Sequence, residues 1–231
     1  METELRDTHY GQLDKQYENK PAGYYGLDRV EMLPFIPAAA KKILDIGCGE
    51  GGFGKMLKEK DPSLIFWGLE PSPSAAGIAG RVLDKVINNV FNEGLPELEN
   101  EKFGAIVFND VLEHLASPDN SIRLCSRYLD EKGCIVASIP NILFYPVVRE
   151  IVRTQDWQYT EHGTLDNTHL RFFTRKSIIR LFEENGYRIL KIEGINARSC
   201  GRLYRILNTI FYKKLKDWKF LQFAVQAQKI S

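Results

Sequence analysis

A glycine-rich turn follows a short apolar run near the start of the chain, and Asp45 lies two positions before its first glycine, Gly47. Glycines lack a Cβ, so a ligand can lie against bare backbone at the start of the helix that follows. Gly47, Gly49 and Gly52 also satisfy the GxGxxG pattern of dinucleotide-binding proteins. Asp45 favours a different ligand, because a carboxylate repels a pyrophosphate and attracts the ammonium and sulfonium groups of S-adenosylmethionine. The alternative is a structural role, in which Asp45 only accepts hydrogen bonds from amides of the loop.

A second carboxylate, Glu70, ends the next apolar run, about 20 residues further on. A strand-end acid at this spacing accepts hydrogen bonds from both ribose hydroxyls of a nucleoside. Enzymes that bind NAD use an acid in the same way, so Glu70 indicates an adenosine-type ligand without deciding between the two cofactors.

The elements that position these residues alternate between β-branched runs and helical stretches, which is typical of a mostly parallel sheet covered by helices. The predicted strands are Lys42–Gly47, Leu64–Glu70, Lys85–Val90, Gly104–Asn109, Gly133–Ile139, Tyr187–Ile195 and Phe223–Gln228. The predicted helices are Phe53–Lys60, Pro118–Leu129 with Ser117 as its N-cap, and Arg175–Asn185 between Thr174 and Gly186. We therefore predict an α/β fold, a Rossmann-like seven-stranded mostly parallel sheet with an antiparallel C-terminal hairpin and helices on both faces.

The composition fits one domain, since 231 residues with 44% hydrophobic content can form a single core of ordinary size. We divide it into an N-terminal helical cap (1–40), a cofactor-binding core (41–139), a substrate lid (140–174) and a C-terminal helix with edge strands (175–231). A net charge of +1 gives no reason to expect a nucleic-acid partner. With no signal-like or membrane-spanning apolar run and no CxxC pair, a cytoplasmic protein with reduced cysteines is predicted.

Two segments of the chain resemble motifs of class I S-adenosylmethionine-dependent methyltransferases. The first is Asp45–Gly51 and the second is Asn109–Leu115, with the sequence NDVLEHL after the fourth predicted strand. The resemblance implies that S-adenosylmethionine is the cofactor. It implies a cofactor-binding set that comprises Asp45, Gly47, Cys48, Gly49, Gly51, Glu70, Pro71, Asn89, Val90, Asn109, Asp110, Val111 and His114.

A third segment, Gly163–Thr174, is similar to one in ubiquinone-biosynthesis O-methyltransferases and in methyltransferases associated with bacterial cell-surface glycans. This resemblance implies that the methyl group is transferred to a hydroxyl group of a small-molecule acceptor. The acceptor would belong to surface-glycan or quinone-type biosynthesis. His114 and His169 are the catalytic candidates, with ordering of the cofactor pocket as the other role open to His114. The acceptor-side candidates are Tyr25, His162, Asp166, His169 and Arg171.

No metal site is predicted, because His162, Asp166 and His169 lack the spacing of a metal-binding helix. Two rival functions remain open. One is an NAD-dependent, sugar-modifying oxidoreductase, for which the Tyr/Lys pairs at 187/191 and 212/216 are poorly placed. The other is a non-catalytic module that keeps a methyltransferase fold and its cofactor site.

The segment Arg198–Lys219 contains seven Lys or Arg residues and one acid, Asp217, interleaved with apolar residues at helical spacing. A helix that packs on the sheet with a solvated basic face is one interpretation. Peripheral contact with an anionic membrane surface is the other. The sequence contains no signal that sets the oligomeric state.

Overall fold

A seven-stranded sheet forms the centre of the computed structural model, which describes residues 29–230. Its strands are β1 (Lys42–Ile46), β2 (Ile65–Leu69), β3 (Lys85–Ile87), β4 (Phe103–Asn109), β5 (Leu129–Pro140), β6 (Tyr187–Ala197) and β7 (Phe220–Lys229). They lie in the order β3-β2-β1-β4-β5-β7-β6. β7 is antiparallel to both of its neighbours, and all other pairs are parallel. The predicted fold class is confirmed.

The central strands are apolar along nearly their whole length because both faces of the sheet are covered. Successive side chains of a strand point to opposite faces. Leu44, Phe108 and Ile135 accordingly belong to one buried cluster, while Ile43 and Val107 belong to the cluster on the other face. This double burial explains why the strand predictions from apolar runs were close to the observed bounds. β3 is shorter than predicted and ends at Ile87, and β5 starts earlier, at Leu129.

Six α-helices lie among the described residues. They are α1 (Gly52–Lys60), α2 (Pro73–Ala79), α3 (Pro118–Tyr128), α4 (Tyr145–Thr154), α5 (Arg175–Glu183) and α6 (Gly201–Ile210). Thr174 caps α5 as predicted, in a reciprocal capping box with Ser177. Ser117 is the N-cap of α3 as predicted, with Pro118 in the first turn, but within residues 29–230 its side chain makes no capping hydrogen bond. The helices α2 and α4 are not among the helices predicted from the sequence.

The segment before β1 is described from Arg29 onward. It forms a short 3-10 helix, Val30–Phe35, with Pro34 inside the turn. Met32 and Phe35 are buried and fasten this segment to the sheet. The remainder of the predicted cap, with Tyr25, lies outside the described residues.

The helix α6 exposes its apolar side chains. Leu203, Ile206 and Ile210 are each more than half exposed, whereas Tyr204 faces inward and donates a hydrogen bond to the carbonyl of Leu215. The expectation that these apolar positions pack on the sheet is therefore wrong for this face. None of the helices in residues 29–230 has the length and apolar character that a bilayer crossing requires.

The two predicted helix caps give a matched pair of variants. We expect Thr174→Ala to lower the free energy of unfolding by about 1 kcal/mol, because it removes the acceptor for the amide of Ser177. Ser117→Ala should change it by less than about 0.5 kcal/mol. Urea unfolding curves of both variants would check this, and equal losses would contradict the assignment of the caps.

Candidate active site

A cavity of about 440 Å³ opens at the carboxyl ends of β1, β2, β4 and β5. In open α/β sheets, ligands bind at this edge because the loops that follow parallel strands meet there. Most of the predicted site residues line it, namely Asp45, Gly47, Cys48, Gly49, Glu70, Pro71, Val90, Asn109, Asp110, Val111, His114, His162, Asp166 and His169. The antiparallel direction of β7 also brings its first residues, Leu221 and Gln222, to this edge.

Three predicted site residues lie outside the lining of this cavity. Arg171 is exposed, and its guanidinium donates two hydrogen bonds to the carbonyl of Ala116, which fastens that loop. Asn89 is exposed, and its side-chain oxygen accepts the amide of Val90. Gly51 is the N-cap of α1. That these three residues contact a ligand stays a prediction.

The glycine loop adopts a backbone that favours glycine. Gly47, Gly49 and Gly51 have φ values of +70°, +55° and +83°, in the left-handed region. A Cβ at Gly47 would lie 2.7 Å from the Cγ2 of Val111. The loop therefore presents its backbone to the cavity at close range, as expected from the sequence.

Glu70 joins the glycine loop to the end of β2. One carboxylate oxygen accepts the amide of Gly49 at 2.9 Å, and the other accepts the amide of Ser72 at 2.9 Å. The side chain is buried, which raises the pKa of the carboxyl, while the two backbone hydrogen bonds lower it. Glu70 thus shapes the loop, whatever it also binds.

Asp45 is buried at the start of the same loop, and its Oδ1 has no hydrogen-bond partner among the described residues. Burial raises the pKa of this carboxyl to about 8, with a further contribution from the charge of Glu70 and an opposing one from Arg29. In the structural alternative, Asp45 accepts hydrogen bonds from amides of the loop. Within the described residues, Oδ1 accepts no such hydrogen bond. A cation placed here would stabilise the ionised carboxylate.

Asp110 is held by three side chains from other parts of the chain. Its carboxylate forms an ion pair with Arg29 and accepts hydrogen bonds from Ser138 Oγ at 2.9 Å and Gln222 Nε2 at 2.6 Å. Its φ of +56° is uncommon for a residue other than glycine. This network ties the segment before β1 to the ends of β4, β5 and β7.

The opposite wall of the cavity consists of the 3-10 turn Leu112–His114 and the end of the predicted lid. The backbone carbonyl of Glu113 accepts the amides of Leu170 and Arg171 at 2.8 and 3.0 Å, which fixes the lid over the site. The rings of His114 and His169 are in edge contact, with centroids 4.7 Å apart. The two catalytic candidates therefore lie together, although they are distant in sequence.

The titration of these groups follows from their burial. Burial is the main cause that lowers the pKa of His114, and the charge of the nearby His169 is the second. Together they lower it to about 4, so the imidazole is neutral at neutral pH. This makes His114 a weaker base than the prediction of a catalytic base assumed. Burial, with the charge of Asp110, raises the pKa of Glu113 well above its ordinary value.

One group of residues in the described part of the chain could hold a metal ion. One ligand atom from each of Glu113, His114 and His169 lies within 4.8 Å of the others. This group differs from the three residues weighed in the sequence, His162, Asp166 and His169, and shares only His169 with them. His162 is exposed at the rim, and Asp166 accepts hydrogen bonds from the amide and hydroxyl of Thr168.

Sequence reasoning missed several residues of the site. Glu113 stands next to His114 in a motif that was recognised, so its position was a usable signal. Arg29 and Gln222 reach the site only through the order of the strands, and nothing in their local sequence indicates it.

The Tyr/Lys pairs that an NAD-dependent oxidoreductase would use do not line the cavity in the described structure. Tyr187 is buried in β6, and Tyr212 is exposed beyond α6.

Comparisons with known proteins agree with the fold and the loop. A family model described as "Methyltransferase domain" matches residues 15–192, and the chain belongs to this family. The ubiquinone biosynthesis O-methyltransferase of Pseudomonas aeruginosa strain LESB58 is 25% identical over 181 residues, covering 74% of this chain and 75% of the relative. The ubiquinone biosynthesis O-methyltransferase of Pseudomonas entomophila is 26% identical over 132 residues. This match covers 55% of this chain and 57% of that relative's length.

Among solved structures, the chain is similar to a 1,6-didemethyltoxoflavin-N1-methyltransferase of Burkholderia thailandensis with bound 1,6-didemethyltoxoflavin and S-adenosylhomocysteine. The TM-score is 0.63 at 11% identity, and the match covers all of this chain and 90% of the other. At this identity the likeness shows the fold.

The role of Glu70 in shaping the loop can be tested without a ligand. We expect Glu70→Ala to lower the free energy of unfolding by about 1–3 kcal/mol, because it leaves the buried amide of Gly49 without its acceptor. Glu70→Gln retains one carbonyl oxygen and should lose less. Urea unfolding of both variants is the measurement. An alanine variant as stable as the parent would show that the loop holds its shape independently.

Proposed function

We propose that this chain is a methyltransferase that transfers the methyl group of S-adenosylmethionine to a hydroxyl group of a small-molecule acceptor. The observation that carries the proposal is the buried Asp45 carboxylate, which faces the cavity at the start of the glycine loop with an unpaired oxygen among the described residues. A sulfonium or ammonium cation stabilises the ionised form of this carboxyl, whereas a pyrophosphate would be repelled by that form. Membership of the methyltransferase-domain family supports the same cofactor.

In this proposal the two strand-end carboxylates divide the cofactor between them. Each oxygen of Glu70 accepts one backbone amide and keeps a lone pair, which a ribose hydroxyl can use. Asp45 attracts the positively charged methionine end, and the side chain of Asn109 offers a buried donor and acceptor in the same cavity. The cofactor-binding roles of the other predicted residues that line the cavity belong to this proposal.

The acceptor occupies the side of the cavity formed by Glu113, His114 and His169. Methyl transfer from a sulfonium is an in-line displacement, so the protein has to align the acceptor oxygen and help it lose its proton. The names of the ubiquinone biosynthesis relatives support a hydroxyl in quinone-type biosynthesis. The resemblance of Gly163–Thr174 to methyltransferases associated with cell-surface glycans supports a surface-glycan acceptor as the alternative. The segment 140–174 acts as the acceptor-side lid, and the core 41–139 holds the cofactor within one domain. A cytoplasmic location fits the free thiols of the four cysteines.

Cofactor binding gives a test with a defined sign. The Asp45 carboxyl, with its pKa near 8, is mostly protonated at pH 7, and a bound cation lowers that pKa. Binding of S-adenosylmethionine should therefore release close to one proton at pH 7, and affinity should rise between about pH 6 and pH 8. Calorimetry in buffers of different ionisation enthalpy measures the released protons.

The matched control for this test is Asp45→Asn. It should abolish the proton release and weaken binding about tenfold or more. Tight binding of NAD without any heat from S-adenosylmethionine would refute the proposal in favour of an oxidoreductase. With binding established, a mass gain of one methyl group in a screen of hydroxylated acceptors tests the reaction, and binding without transfer to any acceptor would favour the non-catalytic module.

We further propose that the exposed face of α6 rests on an anionic lipid surface. This face comprises Leu203, Ile206 and Ile210, which recur at helical spacing and are each more than half exposed. Seven basic residues lie between Arg198 and Lys219, and the one acid there, Asp217, is paired with Arg175 at 2.9 Å. An apolar face flanked by cationic side chains is typical of helices that lie in the interface of anionic membranes.

Vesicle binding tests this surface. The protein should sediment with vesicles that contain phosphatidylglycerol, and much less with pure phosphatidylcholine vesicles or at high salt. The double variant Leu203→Gln, Ile206→Gln should lose most of this binding. Ile230→Gln, at an equally exposed apolar residue away from α6, serves as the control. Equal binding by the double variant and the parent would contradict the proposal.

A further inference from the structure

Three side chains converge on the acceptor side of the cavity with the chemistry of a metal site. Glu113 and His169 are buried and His114 is half-buried. One ligand atom of each lies within 4.8 Å of the other two. All three line the same cavity as the glycine loop. The cluster is assembled from two separate parts of the chain, the turn after β4 and the end of the lid.

The hydrogen bonds of the two imidazoles set which nitrogen can bind an ion. His169 Nδ1 lies 3.1 Å from the backbone carbonyl of Thr164, and His114 Nδ1 lies 3.2 Å from that of Thr168. Because a carbonyl oxygen only accepts, Nδ1 carries the proton in each ring and the lone pair is on Nε2. Metal-binding histidines are oriented in this way, with the other ring nitrogen donating to a carbonyl or carboxylate.

Glu113 supplies an independent observation. Both of its carboxylate oxygens are buried and have no hydrogen-bond partner within residues 29–230. Its Oε1 lies 3.9 Å from His169 Nε2, which is too long for a hydrogen bond. Burying a carboxyl group without hydrogen bonds is costly, and such groups in proteins are commonly paired or coordinated to metals.

We propose that Glu113, His114 and His169 bind one divalent transition-metal ion, with Zn²⁺ as the best match to the ligand set. Two imidazoles and one carboxylate form the three-ligand set of several catalytic zinc sites, in which a further position takes solvent or substrate. Imidazole ligands favour Zn²⁺ and its first-row neighbours over Mg²⁺ and Ca²⁺, which prefer oxygen. Bonds of about 2 Å would draw the three side chains closer together.

The role of the ion in the reaction rests on the proposed function. The hydroxyl oxygen of the acceptor occupies the remaining position, where the ion lowers the hydroxyl pKa and the proton leaves to solvent. A lone pair of that oxygen then forms the bond to the methyl carbon. The carbon–sulfur bond breaks, and its electron pair stays on sulfur. The products are a methyl ether, neutral S-adenosylhomocysteine and one proton.

Metal binding is tested on the whole chain without any acceptor. After removal of metals with a chelator, Zn²⁺ should bind with a stoichiometry of one in calorimetry, and Co²⁺ should give visible absorption typical of four or five ligands. Zn²⁺ should also raise the thermal unfolding temperature, because binding to the folded state stabilises it. A stripped protein that binds neither ion would overturn the proposal.

Variants identify the ligands. Glu113→Gln and His169→Asn should each weaken Zn²⁺ binding at least about tenfold, since losing even a supporting residue of a metal site has effects of this size. His162→Asn is the matched control, because His162 lies at the rim of the same cavity without belonging to the cluster. Unchanged affinity in both cluster variants, or an equal loss in the control, would overturn the assignment. If a variant does not fold, X-ray absorption of the Zn²⁺-loaded parent reports whether two imidazoles bind the ion.

The outcomes separate this inference from the proposed function. The protein could bind the ion through the cluster and fail to bind S-adenosylmethionine. This result would support the metal site and refute the methyltransferase proposal. Methyl transfer at full rate in the metal-free protein with chelator present refutes the role of the ion in the reaction.

Discussion

The burial of three carboxyl groups around one cavity is the constraint on which the site depends. Asp45, Glu70 and Glu113 are all buried at the carboxyl edge of the sheet, where an ionised carboxylate without partners is strongly disfavoured. Glu70 is satisfied by two backbone amides. Asp45 and Glu113 retain oxygens without hydrogen bonds among the described residues. Both groups thus favour positively charged ligands, one beside the glycine loop and one beside the histidines.

The two halves of the cavity are built by different means. The half beside the glycine loop is local, because a strand, a glycine turn and the next helix follow one another directly in the chain. The half beside the histidines is assembled by the return of the predicted lid, which is fixed when Leu170 and Arg171 donate to the carbonyl of Glu113. Changes in this segment can therefore alter the side with the histidines while the glycine loop keeps its geometry.

Asp110 connects these halves to the rest of the sheet. Its carboxylate binds groups from the segment before β1, from β5 and from β7, so its side chain is engaged in the scaffold. The side of the molecule that carries α6 is different in character. There, apolar side chains remain exposed within a segment rich in Lys and Arg, although α6 contacts α4 through the rings of Tyr145 and Tyr204. A surface bound at α6 would thus lie next to the predicted lid.

The sequence by itself determined the sheet, the glycine loop and its carboxylates, because apolar periodicity and turn chemistry are set by neighbouring residues. It also indicated His114 and His169 separately, through the motifs that contain them. Only the tertiary structure decided that these rings touch, that Arg171 binds a loop carbonyl, that Arg29 reaches Asp110 and that Leu203 and Ile206 face outward. These contacts join distant parts of the chain, so they depend on the order of the strands and the path of the lid, which local patterns do not encode.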